Sequence, residues 1–251
     1  MRADETMKAG IVDRLARVAA AALALTALAW SAQAQTNPDP GEIHGLKLGL
    51  HAEAMNTDDW GELACGSNGG PPRQRLDTWS QFKKCPPEAS RLHEVYARFD
   101  DEAEYIGKAL DDPLYAGQQT GTRVAGHPVI LSALFDDMGV LRGIRMVSDP
   151  RAGPVERRMA HLLKIAVMNH YGLDGWTCTD LPPDPGESPV GGVFIKQRCA
   201  MATAERTLTV EAHFLRKPGQ NAIDPETKEY TQGQFESWTR FELMDPSYKK
   251  P

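Results

Sequence analysis

The chain has 251 residues, with 28 Lys and Arg against 34 Asp and Glu, for a net charge of −6. That balance argues against a nucleic-acid binder, which presents a basic face, and against attachment to anionic lipid by charge. It leaves small ligands and other proteins as partners.

Arg2, Lys8, Arg14 and Arg17 lead into Val18–Trp30, a run of 13 almost wholly apolar residues, and then Ser31-Ala32-Gln33-Ala34. A basic stretch, a short apolar core and an A-x-A site are the three parts of a secretory signal, so residues 1–34 read as a signal peptide cut between Ala34 and Gln35. A bilayer-spanning helix needs about 20 apolar residues, which this run lacks. It is apolar on every side, unlike an amphipathic core helix. Asp4 and Glu5 are unusual in a basic stretch, and Met7 offers an alternative start. The first cysteine is Cys65, so no lipid is attached at the cleavage point. No later segment is apolar enough to span a membrane. The expected product is soluble and periplasmic, or secreted.

Cleavage leaves 217 of the 251 residues, with 24 basic and 31 acidic side chains and a net charge of −7. Residues 35–41 read as a flexible terminus, and 42–251 as one domain or two closely packed subdomains with a boundary near 150–175. Ile43, Leu46, Leu48 and Leu50 precede HAEAM, which reads as the start of a short helix. The loop Gly66–Pro72 follows, and Leu76, Trp79 and Phe82 then recur at helical spacing.

Val95, Ala97 and Phe99 alternate with Tyr96 and Arg98 as a strand. Asp101 and Glu104 read as the cap of a helix through Leu110. Val129–Phe135, the turn Asp136-Asp137-Met138-Gly139, and Val140–Met146 read as a hairpin. Pro154 and Gly172 bracket a helix over Val155–Tyr171, with Val155, Met159, Leu162, Leu163 and Ala166 on its core face and Arg157, Arg158, His161 and Lys164 towards solvent. The remaining strands are Val193–Cys199, Leu208–Phe214 and Phe235–Leu243. Short connections between strands favour α+β, antiparallel sheet with packed helices, over a doubly wound sheet. A-x-F-D-D occurs in both ARFDDEAEY and ALFDDMGVL, which is consistent with two similar halves.

The cysteines are Cys65, Cys85, Cys178 and Cys199, in two local pairs 20 and 21 residues apart. An even count in an exported chain reads as two disulfides, Cys65–Cys85 and Cys178–Cys199. A zinc site would need C-x-x-C or nearby His pairs, which are lacking.

Gly45-Leu46-Lys47-Leu48-Gly49-Leu50, followed by a helix, resembles the opening of the small outer-membrane lipoproteins of the barrel-assembly machinery and of related inhibitor folds. Those place a strand and a G-M-s-x-x-x-v helix start before an antiparallel sheet. Here Leu50 replaces the usual Met and the lipid-bearing Cys is absent. The resemblance implies an α+β envelope protein and carries over no binding residue.

Chemistry is sparsely signalled. Ser80-Gln81-Phe82-Lys83 matches S-x-x-K, but S-D-N and K-T-G are lacking and Lys217-Pro218-Gly219 is a poor echo. Asp100, Asp101, Glu102, Glu104, Asp111 and Asp112 lack the spacing of a calcium loop. No dinucleotide, phosphate or zinc motif occurs, so no cofactor or metal is expected. Trp79 and Trp238 are the candidate ligand contacts, Trp238 because it alternates with Phe235 and Phe241. The expectation is a non-enzymatic binding or accessory protein of the cell envelope. The alternatives are a hydrolase of unfamiliar type, or an inhibitor using the disulfide-held loop Gly66–Pro72.

Overall fold

The computed structural model describes residues 42–99, 109–110, 122–221, 223, 226, 228 and 234–248. The signal segment, the D-x-x-E cap and the acidic group from Asp100 to Asp112 lie outside the described residues. In chain order the strands are β1 (Glu42–Ile43), β2 (Leu46–Lys47), β3 (Trp60–Cys65), β4 (Arg75–Leu76), β5 (His93–Phe99), β6 (Arg123–Val124), β7 (His127–Phe135) and β8 (Leu141–Ser148). Then come helices α1 (Pro154–Met159) and α2 (Leu163–Tyr171), and strands β9 (Thr177–Asp180), β10 (Ile195–Ala202), β11 (Thr207–Leu215) and β12 (Glu236–Met244).

One antiparallel sheet of ten strands dominates, in the order β4-β3-β5-β7-β8-β12-β11-β10-β9, with β6 paired to β7. Among the described residues antiparallel sheet therefore predominates, with the helical segment over 154–171 packed on it, and the α+β expectation stands only in that coarse form. Two meanders meet at β8 and β12, from Val147 opposite Arg240 to Gly143 opposite Met244. The A-x-F-D-D echo does not relate them. Ala97–Phe99 closes β5 and Ala133–Asp137 closes β7, neighbouring strands of the same meander.

Period-two alternation divides the sheet into two faces. Leu63, Val95, Ala97, Leu131, Ile144, Met146, Val210, Phe241 and Leu243 are buried on the first face and join one core. Trp79, Phe82 and Phe135 fill its β5–β7 end, with Trp79 edge-on to Trp60 at 5.2 Å. At the other end α2 contributes Leu163 and Val167, and Tyr171 stacks on Phe241 at 5.5 Å.

The second face carries buried charge. Arg145 donates Nε to Glu242 at 2.7 Å and its two Nη atoms to Glu88 at 2.6 and 3.0 Å. Its Nη1 is 3.0 Å from Glu94, and Arg240 donates to the same Glu242 oxygen, Oε1, at 2.7 Å. Burial opposes ionisation of Glu88 and Glu242, but Arg145 outweighs it and holds both below the usual carboxylate range. Such a guanidinium can satisfy several carboxylates because its five donors lie in a fixed plane.

Local chemistry explains the turns. In the β7–β8 hairpin Asp136 Oδ1 accepts the N–H of Met138 at 2.9 Å and of Val140 at 3.0 Å, and Gly139 takes φ +83°. Gly66–Pro72 lies down on the second face. Glu94 Oε2 accepts the Asn68 N–H at 2.6 Å, and Arg240 grips Asn68 from β12. A Cβ at Gly69 (φ +84°) would come within 2.3 Å of Val147. The loop is thus docked on the sheet and is not the projecting contact that an inhibitor reading expects.

The helical segment departs most from expectation. HAEAM yields only a 3₁₀ turn, Ala52–Ala54, and Trp79–Lys84 is also 3₁₀. Over 154–171 the helix is broken by a third 3₁₀ turn, Ala160–Leu162. Ser237 Oγ donates to the Arg158 carbonyl at 3.0 Å and Thr239 Oγ1 to the Ala160 carbonyl at 2.9 Å, while the His161 N–H turns to Ser237 Oγ at 3.3 Å. Hydroxyls inserted into the helical ladder interrupt it. The phase of the apolar stripe shifts there, so Val155 and Met159 are exposed and Ala160, Leu163 and Val167 face the core. His161 also reverses its expected place, stacking on Phe214 at 4.4 Å.

Candidate functional site

The cysteines form two bridges, Cys65–Cys85 and Cys178–Cys199, and none of the four is free. Cys65 and Cys85 are buried in the core; Cys178, on edge strand β9, is exposed and lies opposite the buried Cys199 of β10. Both pairs are structural.

Ser80 is exposed and its hydroxyl meets Thr78 at 2.8 Å, while Lys83 lies over the Phe82 ring. The two do not converge on a reacting centre. Trp79 is completely buried and its Nε1 donates to the Asn56 carbonyl at 3.1 Å, so the expectation of a ligand contact there is corrected. Its helical spacing with Leu76 and Phe82 is that of a core residue. Among the described residues, no group of three or more His, Cys, Asp or Glu side chains is placed to hold a metal ion.

Trp238 differs. It faces away from Phe241 on β12, stacks on His213 at 4.0 Å, and lines a cleft of about 420 Å³. The cleft opens where the two meanders part. β12 pairs with β11 from Met244 back to Glu236, but β8 leaves β12 beyond Val147. The sequence Ser148-Asp149-Pro150 explains the departure. The Asp149 side chain accepts the Arg151 N–H at 2.8 Å and pairs with the Arg151 guanidinium at 2.7 Å, while Pro150 offers no ladder donor. Gly153 N–H then meets Glu156 at 3.1 Å and α1 begins at Pro154.

Three walls result. Phe235, Glu236, Ser237 and Trp238 form the β12 side, Ser148–Pro150 the β8 side, and Pro154, Arg157, Arg158 and Ala160 the helical side. Both acids that line the cleft are engaged, Asp149 with Arg151 and Glu236 with Lys217 at 3.5 Å. Arg157 and Arg158 are exposed, and their guanidinium groups meet no carboxylate among the described residues.

The cleft offers apolar, aromatic and cationic side chains. Ser237 Oγ lies 3.2 Å from His161 Nδ1, a contact that would interest a hydrolase reading. However, the hydroxyl donates to the Arg158 carbonyl, and burial, aided by Lys164, depresses the His161 pKa. No carboxylate among the described residues orients the ring, so the third member of a catalytic relay is lacking. The pair acts as a joint between helix and sheet.

A second cavity of about 270 Å³ lies between the β1–β2 hairpin and α2, lined by Ile43, His44, Arg123, Met146, Val167 and Tyr171 among others. Arg123 at its rim is held by Glu156 and by the Gly126 carbonyl.

Trp238 was legible from its alternation. Arg157 and Arg158 read as an ordinary solvated face; the signal that could have raised them is the breaker run Ser148–Pro154 just before them. Compared with known protein families, curated proteins and solved structures, the chain matches none.

Proposed function

We propose that this is an exported, non-enzymatic binding protein of the cell envelope, and that the cleft between β8 and β12 is its binding site. One observation carries the reading: two exposed arginines with no ion-pair partner among the described residues stand beside a half-buried tryptophan, in an opening of the sheet whose lining acids are already engaged. Aromatic and Arg side chains are the residue types that dominate binding energy at protein surfaces. The export half of the reading rests on the signal-like residues 1–34, and two disulfides are compatible with an oxidising compartment. No described helix is long and apolar enough to cross a membrane.

Two measurements test it in cells expressing all 251 residues. N-terminal sequencing of the exported product should begin at Gln35; an intact amino terminus would remove the export half. Affinity capture from envelope extract should retain one dominant partner that Arg157→Glu with Arg158→Glu releases. Retention of the same partner by that variant would remove the cleft from the binding role.

A further inference from the structure

The cleft is defined by missing sheet as much as by its side chains. On β12 the Thr239 N–H points to the β8 side, where it meets the Ser148 hydroxyl at 3.1 Å in place of a backbone carbonyl. Alternate residues of a strand direct both N–H and C=O to the same side. Ser237, two residues earlier, therefore directs its N–H and C=O towards the space that β8 has vacated, and no backbone partner meets them there among the described residues. Its hydroxyl is committed to α1 and the 3₁₀ turn, which fixes this stretch of β12 in extended form.

Unmet strand groups at a sheet opening are completed by another extended chain, whose main chain supplies the hydrogen bonds while alternate side chains enter flanking pockets. The side chains here state which pockets. Trp238, Phe235, Pro150 and Pro154 offer apolar surface, and Arg157 and Arg158 are charges of the cleft that no carboxylate among the described residues pairs. In a protein of net charge −6 a local positive site selects acidic partners against a repelling background. We infer that the cleft takes a short extended segment of a partner protein carrying a carboxylate, which bridges to Ser237 of β12 and lays its acid against Arg157 and Arg158. The inference rests on the cleft being the binding site and adds the chemistry of the occupant.

The test uses protein purified from cells expressing the full chain, isotope-labelled for amide spectra. The probes are acetyl-Val-Glu-Val-Glu-Val-amide, its lysine counterpart, two forms of the acidic peptide N-methylated at alternate amides, benzoate and inorganic phosphate. The acidic peptide should shift the amide resonances of Ser237 and Trp238 and the side-chain resonances of Arg157 and Arg158. Its affinity should exceed that of the lysine peptide at least tenfold. One of the N-methylated forms should lose at least tenfold, since N-methylation removes a main-chain donor without altering charge. Arg157→Glu with Arg158→Glu should lose as much. Equal binding by the lysine peptide, or benzoate or phosphate matching the acidic peptide at the same resonances, would overturn the peptide inference and leave a small-anion or unspecific site. An envelope partner that depends on the two arginines but is not displaced by the acidic peptide would overturn it too, with the cleft still standing as the binding site. If no probe perturbs the cleft and no partner depends on it, both fail together.

Discussion

The Ser148 hydroxyl accepts the Thr239 N–H at 3.1 Å and so closes the β8–β12 ladder one rung beyond its last backbone pairing. Both residues are buried. Ser148→Ala leaves that N–H without its acceptor at the head of the cleft, at a cost of about 1–3 kcal/mol. In a domain of this size each kcal/mol lowers the melting temperature by about 2–4 °C. Thermal melts of the variant should show that fall, and faster amide exchange at Thr239 should accompany it. A variant with wild-type melting and exchange would show that this rung contributes nothing.

The disulfides should differ in weight. Each closes a loop of about 20 residues and should contribute about 2–5 kcal/mol. Cys65 and Cys85 also pack in the core beside Val95 and Leu63, whereas Cys178 is exposed on the edge strand. Cys65→Ser with Cys85→Ser adds two buried hydroxyls and should melt lower than Cys178→Ser with Cys199→Ser. Both should melt below the parent, and thiol titration of the denatured, unreduced parent should find no free thiol.

Arg145 holds three buried or half-buried carboxylates. Removing one partner of a buried ion cluster leaves charge uncompensated and costs about 3–5 kcal/mol. Arg145→Met should therefore be among the most destabilising single substitutions in the chain. Adding Glu94→Gln and Glu88→Gln should recover part of the loss in denaturant melts, because the remaining repulsion is then relieved. Absence of any recovery would mean that shape, and not charge, sets the cost.

Stability should fall with acid in two stages. Burial lowers the pKa of His127, His161 and His213, so the unfolded chain takes up those protons first. Stability from keeping them neutral is present above about pH 6.5 and declines as pH falls below it. Glu88, Glu242 and Asp136 are held below their ordinary values chiefly by arginine partners, and Asp245 by the Ser247 hydroxyl and then Arg142, despite burial acting the other way. Their contribution is present above about pH 4.5 and is lost as pH falls through the lowered values. Melting temperatures should be level near neutrality, lower at pH 5.5, and fall steeply below pH 4. His161→Phe with His213→Phe should flatten the first stage and leave the second in place.

Local signals are legible in the sequence where they depend on neighbouring residues. Asp136-Asp137-Met138-Gly139 makes its own turn through one carboxylate and one glycine, the alternation around Leu208 announces a strand that covers the core with one face, and the unbroken apolar run Val129–Phe135 announces one buried on both. Even the cysteine pairing followed from spacing. Composition of the first 34 residues supplied the export expectation.

Tertiary structure decided the rest. Helical spacing alone placed Val155 and Met159 in the core, because nothing in that segment announces Ser237 and Thr239, hydroxyls about 80 residues away that break the ladder and turn the stripe. Trp79 recurs at helical spacing and Trp238 in a strand alternation, but only packing encloses the first against Trp60 and Phe135 and leaves the second at an opening. The cleft itself exists because β8 bends away at Ser148-Asp149-Pro150 while β12 continues. That mismatch lies between strands about 90 residues apart, so it is a property of their register and of neither segment alone.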